Sequence, residues 1–142
     1  MTEGKIMAVD YGLRRIGIAM SDPLQITSSP FDTLTSLSPK QNVEKITEMA
    51  VKNNVVAIVI GLPIDSTGTE GAMAKTIRGF ADKLKICTTL PVMFIDEAFS
   101  SMEATEILSS KGIKFDHKDK GLKDRVSAAL ILQRYLERKC ST

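Results

Sequence analysis

Tryptophan is absent, histidine occurs once, cysteine twice, and aromatic residues make up only 5% of the 142-residue chain. Each scarcity removes a class of chemistry. A single histidine, His117, excludes a multi-histidine zinc site, and any Ser-His-Asp triad would have to be built on that one residue. It stands in the polar run Lys114-Phe115-Asp116-His117-Lys118, where a solvated imidazole is the plainer expectation. Cys87 and Cys140 lie far apart in unlike surroundings. They have neither zinc-ligand spacing nor the density of a disulfide framework, so free thiols in a reducing compartment are expected. No apolar run is long enough to span a bilayer, and the N-terminus lacks the basic-then-apolar pattern of a signal peptide. No membrane partner and a cytoplasmic location follow as expectations. Charge of one sign is also scarce: the formal net charge is +2, too small to argue for a nucleic-acid partner unless it is locally concentrated. The tools left for chemistry are carboxylates and a hard metal ion.

What is present reads as one globular domain over residues 1–142, without repeats, low-complexity tracts or a dividing linker. The chain is organised around Lys5-Ile6-Met7-Ala8-Val9-Asp10-Tyr11-Gly12. An unbroken apolar run suggests a strand, Lys5 to Asp10, covered on both faces. It ends in a carboxylate whose burial is costly without compensation. A second strand, Arg15 to Ser21, follows after so few residues that a hairpin is expected, not a crossover. Between them Leu13-Arg14-Arg15 sets two cations beside Asp10, either as a solvated turn or as phosphate contacts. Asp10 itself reads either as a turn residue bonded to local backbone or as a functional acid. Residues 24–34, polar and apolar in turn, with Pro23 just before them and Pro30 within them, suggest a third, edge-type strand.

Ser38-Pro39-Lys40-Gln41 opens a helix through a capping box with proline at its first position. Val43, Ile46, Met49 and Ala50 form its apolar face, and Asn53-Asn54 ends it. The β-branched run Val55 to Ile60 is a buried strand, and helix followed by strand suggests a parallel crossover. The glycine-punctuated stretch from Gly61 to Gly71 reads as a loop at that strand's carboxyl end, where open α/β sheets bind ligands, although it is not a P-loop. Met73, Ile77, Phe80 and Leu84 mark the next helix. Leu90 to Glu97 is a second buried strand ending in carboxylates. Ser100 and Glu103 then suggest a capped helix ending at Lys111-Gly112. From Lys111 to Arg125 six cations face three aspartates, more net positive charge than the whole chain carries. The last helix runs from near Leu122 to about Arg138, apolar almost all round. Asp124 in its first turn is either a dipole-favoured carboxylate or a third acid aimed at the ligand edge of the sheet.

Carboxylates gathered at one edge repel one another and raise each other's pKa unless a cation is present. Oxygen-only donors favour magnesium or manganese, and a pair of such ions can activate water and stabilise the leaving oxygen of a phosphodiester. Asp10, Glu97 and Asp124 are the candidate catalytic and metal-holding residues. Arg14, Arg15, Lys120, Lys123 and Arg125 are the candidate contacts to substrate phosphates.

Four motifs taken together resemble a known family over nearly the whole chain. They are Asp10-Tyr11-Gly12 with Arg15-Ile16-Gly17-Ile18-Ala19; Gly61-Leu62-Pro63 with Gly68 and Gly71; Asp96-Glu97 with Ser100-Ser101 and Glu103-Ala104; and Lys120-Gly121 with Asp124, Ala128 and Ile131-Leu132-Gln133-Arg134-Tyr135-Leu136. The chain resembles the YqgF-type nucleases, a family similar to Holliday-junction resolvases within the ribonuclease-H-like superfamily. The resemblance implies an α/β fold of the ribonuclease-H-like kind, a mixed sheet of about five strands flanked by helices. It also implies a metal site on Asp10, Glu97 and Asp124, and maturation of the 5′ end of the 16S ribosomal RNA precursor. Two positions depart from the family's usual pattern: Ala98 stands where an arginine is common, and Arg125 where a small or apolar residue is common. The leading expectation is therefore a magnesium- or manganese-dependent endonuclease with two ions, acting on precursor rRNA. Its alternatives are a resolvase cutting four-way DNA and a noncatalytic RNA-binding factor in ribosome assembly. A sugar-kinase or actin-type ATPase would need a second lobe for which the chain is too short. Either a monomer or a homodimer fits the sequence, a resolvase requiring a two-fold dimer.

Overall fold

The computed structural model describes residues 4–64, 67–97 and 121–140. Eight elements are formed by them: β1 (Lys5–Tyr11), β2 (Arg15–Ser21), β3 (Ser28–Thr35), α1 (Pro39–Lys52), β4 (Val55–Pro63), α2 (Ala72–Cys87), β5 (Val92–Glu97) and α3 (Leu122–Cys140). The strands make one five-stranded sheet in the order β3-β2-β1-β4-β5. β1, β2 and β3 form an antiparallel meander, whereas β1, β4 and β5 run parallel. Their carboxyl ends therefore meet at one edge. The expected hairpin and crossover are both present, and the mixed sheet is the architecture that the sequence implied.

Strand alternation sorts the core into two layers. Met7, Val9, Tyr11, Ile16, Ile18, Ile58, Ile60 and Leu62 pack with α1 and α2 on one face of the sheet. Ile6, Ala8, Ala19, Ala57, Val59 and Ile95 pack against Ala128, Ile131, Leu132 and Leu136 of α3 on the other. The central strands are covered on both faces, which is why they carry continuous apolar runs with no wet side. The alanines on the α3 face let that helix lie close to the sheet. Tyr11 closes the opposite layer by stacking on Phe80, with centroids 4.3 Å apart.

Local signals placed several boundaries correctly. The Ser38 hydroxyl accepts the Gln41 amide, and the Gln41 side chain accepts the Ser38 amide, so the capping box of α1 is formed. Asn54 adopts φ +56°, the left-handed conformation that asparagine tolerates at a helix exit. Other boundaries differ from expectation. β3 begins at Ser28, not Leu24, because the Asp22 carboxylate accepts the Ile26 and Thr27 amides and ties the preceding residues into a turn. Pro30 is accommodated on this edge strand beside a register shift between Ile18 and Ala19. β4 extends through Gly61-Leu62-Pro63, a stretch expected to be loop, since all three pair with β5. β5 begins at Val92 and is only half-buried, because it is the outer strand of the sheet among the described residues. The expected helix between Ser100 and Gly112, His117 and most of the basic run from Lys111 lie outside the described residues.

Candidate active site

Alternation along β1 turns Ile6, Ala8 and then Asp10 toward α3. Along β5 the same rule carries Ile95 and Glu97 to that face. The sequence allows these two strands to be neighbours; in the structure β4 lies between them. Two glycines resolve the distance. Gly17 on β2 is the cross-strand partner of Asp10. Gly61 on β4 stands one step beyond the Ile60–Val9 pair, on the other side of Asp10. The acid is thus flanked by residues without side chains. A Cβ built on Gly17 would lie 2.0 Å from the Asp124 carbonyl oxygen. One built on Gly61 would lie 2.8 Å from Glu97 Oε2 and 2.5 Å from Ile131 Cδ1. The first glycine admits the start of α3, and the second admits the Glu97 side chain as it leans over β4. A glycine inside a strand pattern signals such close approach, so both positions are readable in principle, though the sequence reading singles out neither as a site residue.

Asp10 and Glu97 both sense a neighbouring carboxylate. Burial, and then the negative charge of Asp124, push the Asp10 carboxyl up to about 6. Burial, and then the charge of Asp10, push the Glu97 carboxyl up to about 8. Both shifts have the sign expected of carboxylates desolvated together without a compensating cation. Asp124 Oδ2 accepts a hydrogen bond from Arg15 Nε at 2.7 Å. Among the described residues no three histidine, cysteine, aspartate or glutamate side chains stand together as a metal-binding group. The acids are therefore adjacent but not closed into a single ligand set: Asp10 pairs electrostatically with Glu97 on one side and with Asp124 on the other, and Asp124 is turned to Arg15.

The cations distribute unevenly. Arg14 is exposed at the β1–β2 turn and Arg15 is engaged by Asp124. Lys123 is half-buried in the first turn of α3. Arg125 Nη1 donates to Thr33 Oγ1 at 3.1 Å, and that hydroxyl donates to the Gly121 carbonyl at 2.7 Å, fixing the start of α3 to β3. Lys120 lies outside the described residues. A clamp that sequence reasoning missed sits beside Glu97. Asp96 Oδ1 accepts from Arg138 Nη1 at 2.6 Å, with Arg134 Nη2 at 3.7 Å from Oδ2. The Arg138 hydrogen bond holds the Asp96 carboxyl below the usual range. The arginines stand one helical turn apart on α3, a spacing visible in the sequence, but their partner on β5 was not.

Comparison with known proteins defines first the fold and then the family. The structure superposes on Thermus thermophilus RuvC, solved in complex with a Holliday junction substrate, with a TM-score of 0.60 over 98% of this chain and 97% of that one, at 12% identity. Fowlpox virus resolvase, solved with substrate Holliday junction DNA, superposes with a TM-score of 0.60 over 95% and 98% of the two chains, at 14% identity. The fold is that of the ribonuclease-H-like nucleases. Residues 4–138 match the RuvX family, described as Holliday junction resolvase, and the chain belongs to that family. A protein of Endomicrobium trichonymphae named "Putative pre-16S rRNA nuclease" is 47% identical over 133 residues, covering 94% of this chain and 95% of its own. One of Koribacter versatilis with the same name is 37% identical over 136 residues, covering 96% and 88%. No helix among the described residues is long and apolar enough to cross a membrane.

Proposed function

We propose that the chain is a divalent-metal-dependent nuclease that hydrolyses phosphodiester bonds at the edge formed by Asp10, Glu97 and Asp124, with precursor 16S rRNA as its substrate. The observation that carries this reading is the half-buried Asp10–Glu97 pair, two carboxyls raised by desolvation and by neighbouring negative charge with only hard oxygen donors to offer. Such a pair fits magnesium or manganese, one ion or two, because a cation between them removes the repulsion. Bound there, the metal would supply an activated water and charge stabilisation for the leaving oxygen. Asp10 and Glu97 would hold it, with Asp124 as the third donor. Exposed Arg14, together with Arg15, Lys120, Lys123 and Arg125, would guide the substrate backbone by charge. Relatives at 47% and 37% identity carry the precursor-rRNA name, which favours RNA over branched DNA. A cytoplasmic setting belongs to the same reading and is supported by the exposed free thiol of Cys87.

The likeness to two junction-bound resolvases supports a second substrate, four-way DNA. Paired incision of a junction needs two sites and hence a two-fold dimer, whereas trimming one RNA end needs a single site in a monomer. The deciding experiment offers purified protein and magnesium a precursor 16S rRNA, a four-way junction and unpaired strands, beside the Asp10→Asn variant. Cleavage of the RNA that Asp10→Asn abolishes supports the primary reading, and cleavage of the junction alone supports the second. Binding without cleavage, or cleavage undiminished in Asp10→Asn, overturns both.

A further inference from the structure

The ion pair between Arg15 and Asp124 does more than anchor α3. Thr33 already fixes the Gly121 carbonyl, Ser28 Oγ donates to the Ala129 carbonyl at 2.8 Å, and the Asp124 backbone rests on Gly17. The pair itself is part-exposed, its side chains 39% and 24% accessible, and pairs so placed contribute little to stability. Its structural effect is on one side chain: Arg15 engages Asp124 Oδ2, and among the described residues Asp124 does not close into a three-residue metal-binding group with Asp10 and Glu97. A guanidinium binds phosphate with the same forked geometry that it offers a carboxylate. Arg15 begins β2 on the face toward α3, two residues from the glycine opposite Asp10. A phosphodiester laid over the acids would compete with Asp124 for one and the same group.

We propose that Arg15 is a substrate-operated latch: it holds Asp124 in the free protein and passes to a backbone phosphate when nucleic acid binds, releasing Asp124 to complete the metal-binding set with Asp10 and Glu97. This rests on the metal-dependent reading above. Arg15 then both contacts the substrate phosphate and, through Asp124, positions the third acid. Linkage makes the coupling reciprocal, so nucleic acid tightens metal binding and metal tightens nucleic-acid binding by the same factor. The free protein would bind metal weakly and assemble its full site only on a substrate.

The test is manganese binding followed by calorimetry, with and without a phosphorothioate RNA that resists hydrolysis. In its absence Arg15→Gln should bind manganese about tenfold more tightly than the unsubstituted protein, as expected when one ion pair no longer competes. The RNA should raise the affinity of the unsubstituted protein toward that level and leave Arg15→Gln nearly unchanged. Removing a nearby positive charge would tighten metal binding by simple Coulomb attraction even without a latch. The Asp124→Asn background separates the two. There Arg15→Gln should gain much less than in the unsubstituted protein if the latch operates, only the through-space charge effect remaining, and an undiminished gain in that background overturns it. Equal affinities for Arg15→Gln and the unsubstituted protein overturn the latch alone, provided that Asp10→Asn abolishes binding. Manganese binding that survives in Asp10→Asn overturns the metal site itself.

Discussion

Gly17 and Asp10 face each other across β1 and β2, and the carbonyl of Asp124 occupies the volume that a side chain at position 17 would fill. One missing Cβ thus sets two things at once: how close α3 approaches the sheet, and how near the third acid comes to the first. Gly17→Ala would put a methyl group 2.0 Å from backbone oxygen, and backbone, unlike the end of a side chain, moves only with its helix. Lifting α3 opens the layer of Ala128, Ile131 and Leu132. Overpacking of this kind costs about 3 kcal/mol. The expected result is a melting temperature lower by roughly 10 °C for a domain of this size, read by calorimetry. An unchanged melting temperature would mean that the helix start does not rest on β2.

Gly61 behaves differently although it lies in the same row. The atoms that an added methyl would meet are the ends of the Glu97 and Ile131 side chains, which can swing aside. Gly61→Ala should therefore fold with a stability loss of about 1 kcal/mol or less. It should still lose metal affinity and cleavage, because Glu97 no longer leans across β4 toward Asp10. Denaturation midpoints and metal titration on the same preparation separate these effects. A variant that binds and cuts normally would show that the position of Glu97 over β4 is irrelevant.

The contrast between these glycines explains what the sequence could and could not reveal. Strand-ending acids at Asp10 and Glu97, the Ser38 cap and the apolar runs were legible because each is a local pattern with a local cause. The β1–β4–β5 order was not, because parallel strands leave no trace of which neighbour they take. Without that order nothing said that Glu97 must cross an intervening strand, or that Gly61 belonged to the strand instead of the loop. Arg15 was legible as a cation near Asp10, but its partner lies 109 positions away. Charge pairing at that separation depends on how α3 docks, and docking depends on the small residues at 17 and 19.

The raised acids make the metal-free fold sensitive to alkali. For both Asp10 and Glu97 the folded carboxyl holds its proton to higher pH than the unfolded one, up to about 6 and about 8. Between about pH 4 and 8 the native state therefore binds more protons than the unfolded state, and stability falls as pH rises. The stabilisation is full below the unfolded values near 4 and is lost as pH passes through the folded ones. Urea midpoints in chelator should drop from pH 5 to pH 8, and millimolar magnesium should restore most of the loss at pH 8. A midpoint that rises over this range in chelator would contradict the desolvation of the pair.

Replacing Glu97 by glutamine separates the cost of the site from its use. Glutamine keeps the shape and can occupy the space over Gly61, but it carries no charge for Asp10 to repel or for burial to penalise. In chelator at pH 8 Glu97→Gln should be more stable than the unsubstituted protein, by an amount that shrinks toward pH 5, where Glu97 is already protonated in the fold. Magnesium reverses the order, because only the unsubstituted protein gains the stabilisation that a bound ion confers on the native state. Cleavage should be lost in Glu97→Gln at every pH. The measurement is the change in melting temperature on adding magnesium at pH 8, taken for both proteins. It should be positive for the unsubstituted chain and close to zero for Glu97→Gln. Equal stabilisation of the two by magnesium would place the ion away from Glu97, since a glutamine amide cannot supply the charge that draws a hard cation to this edge.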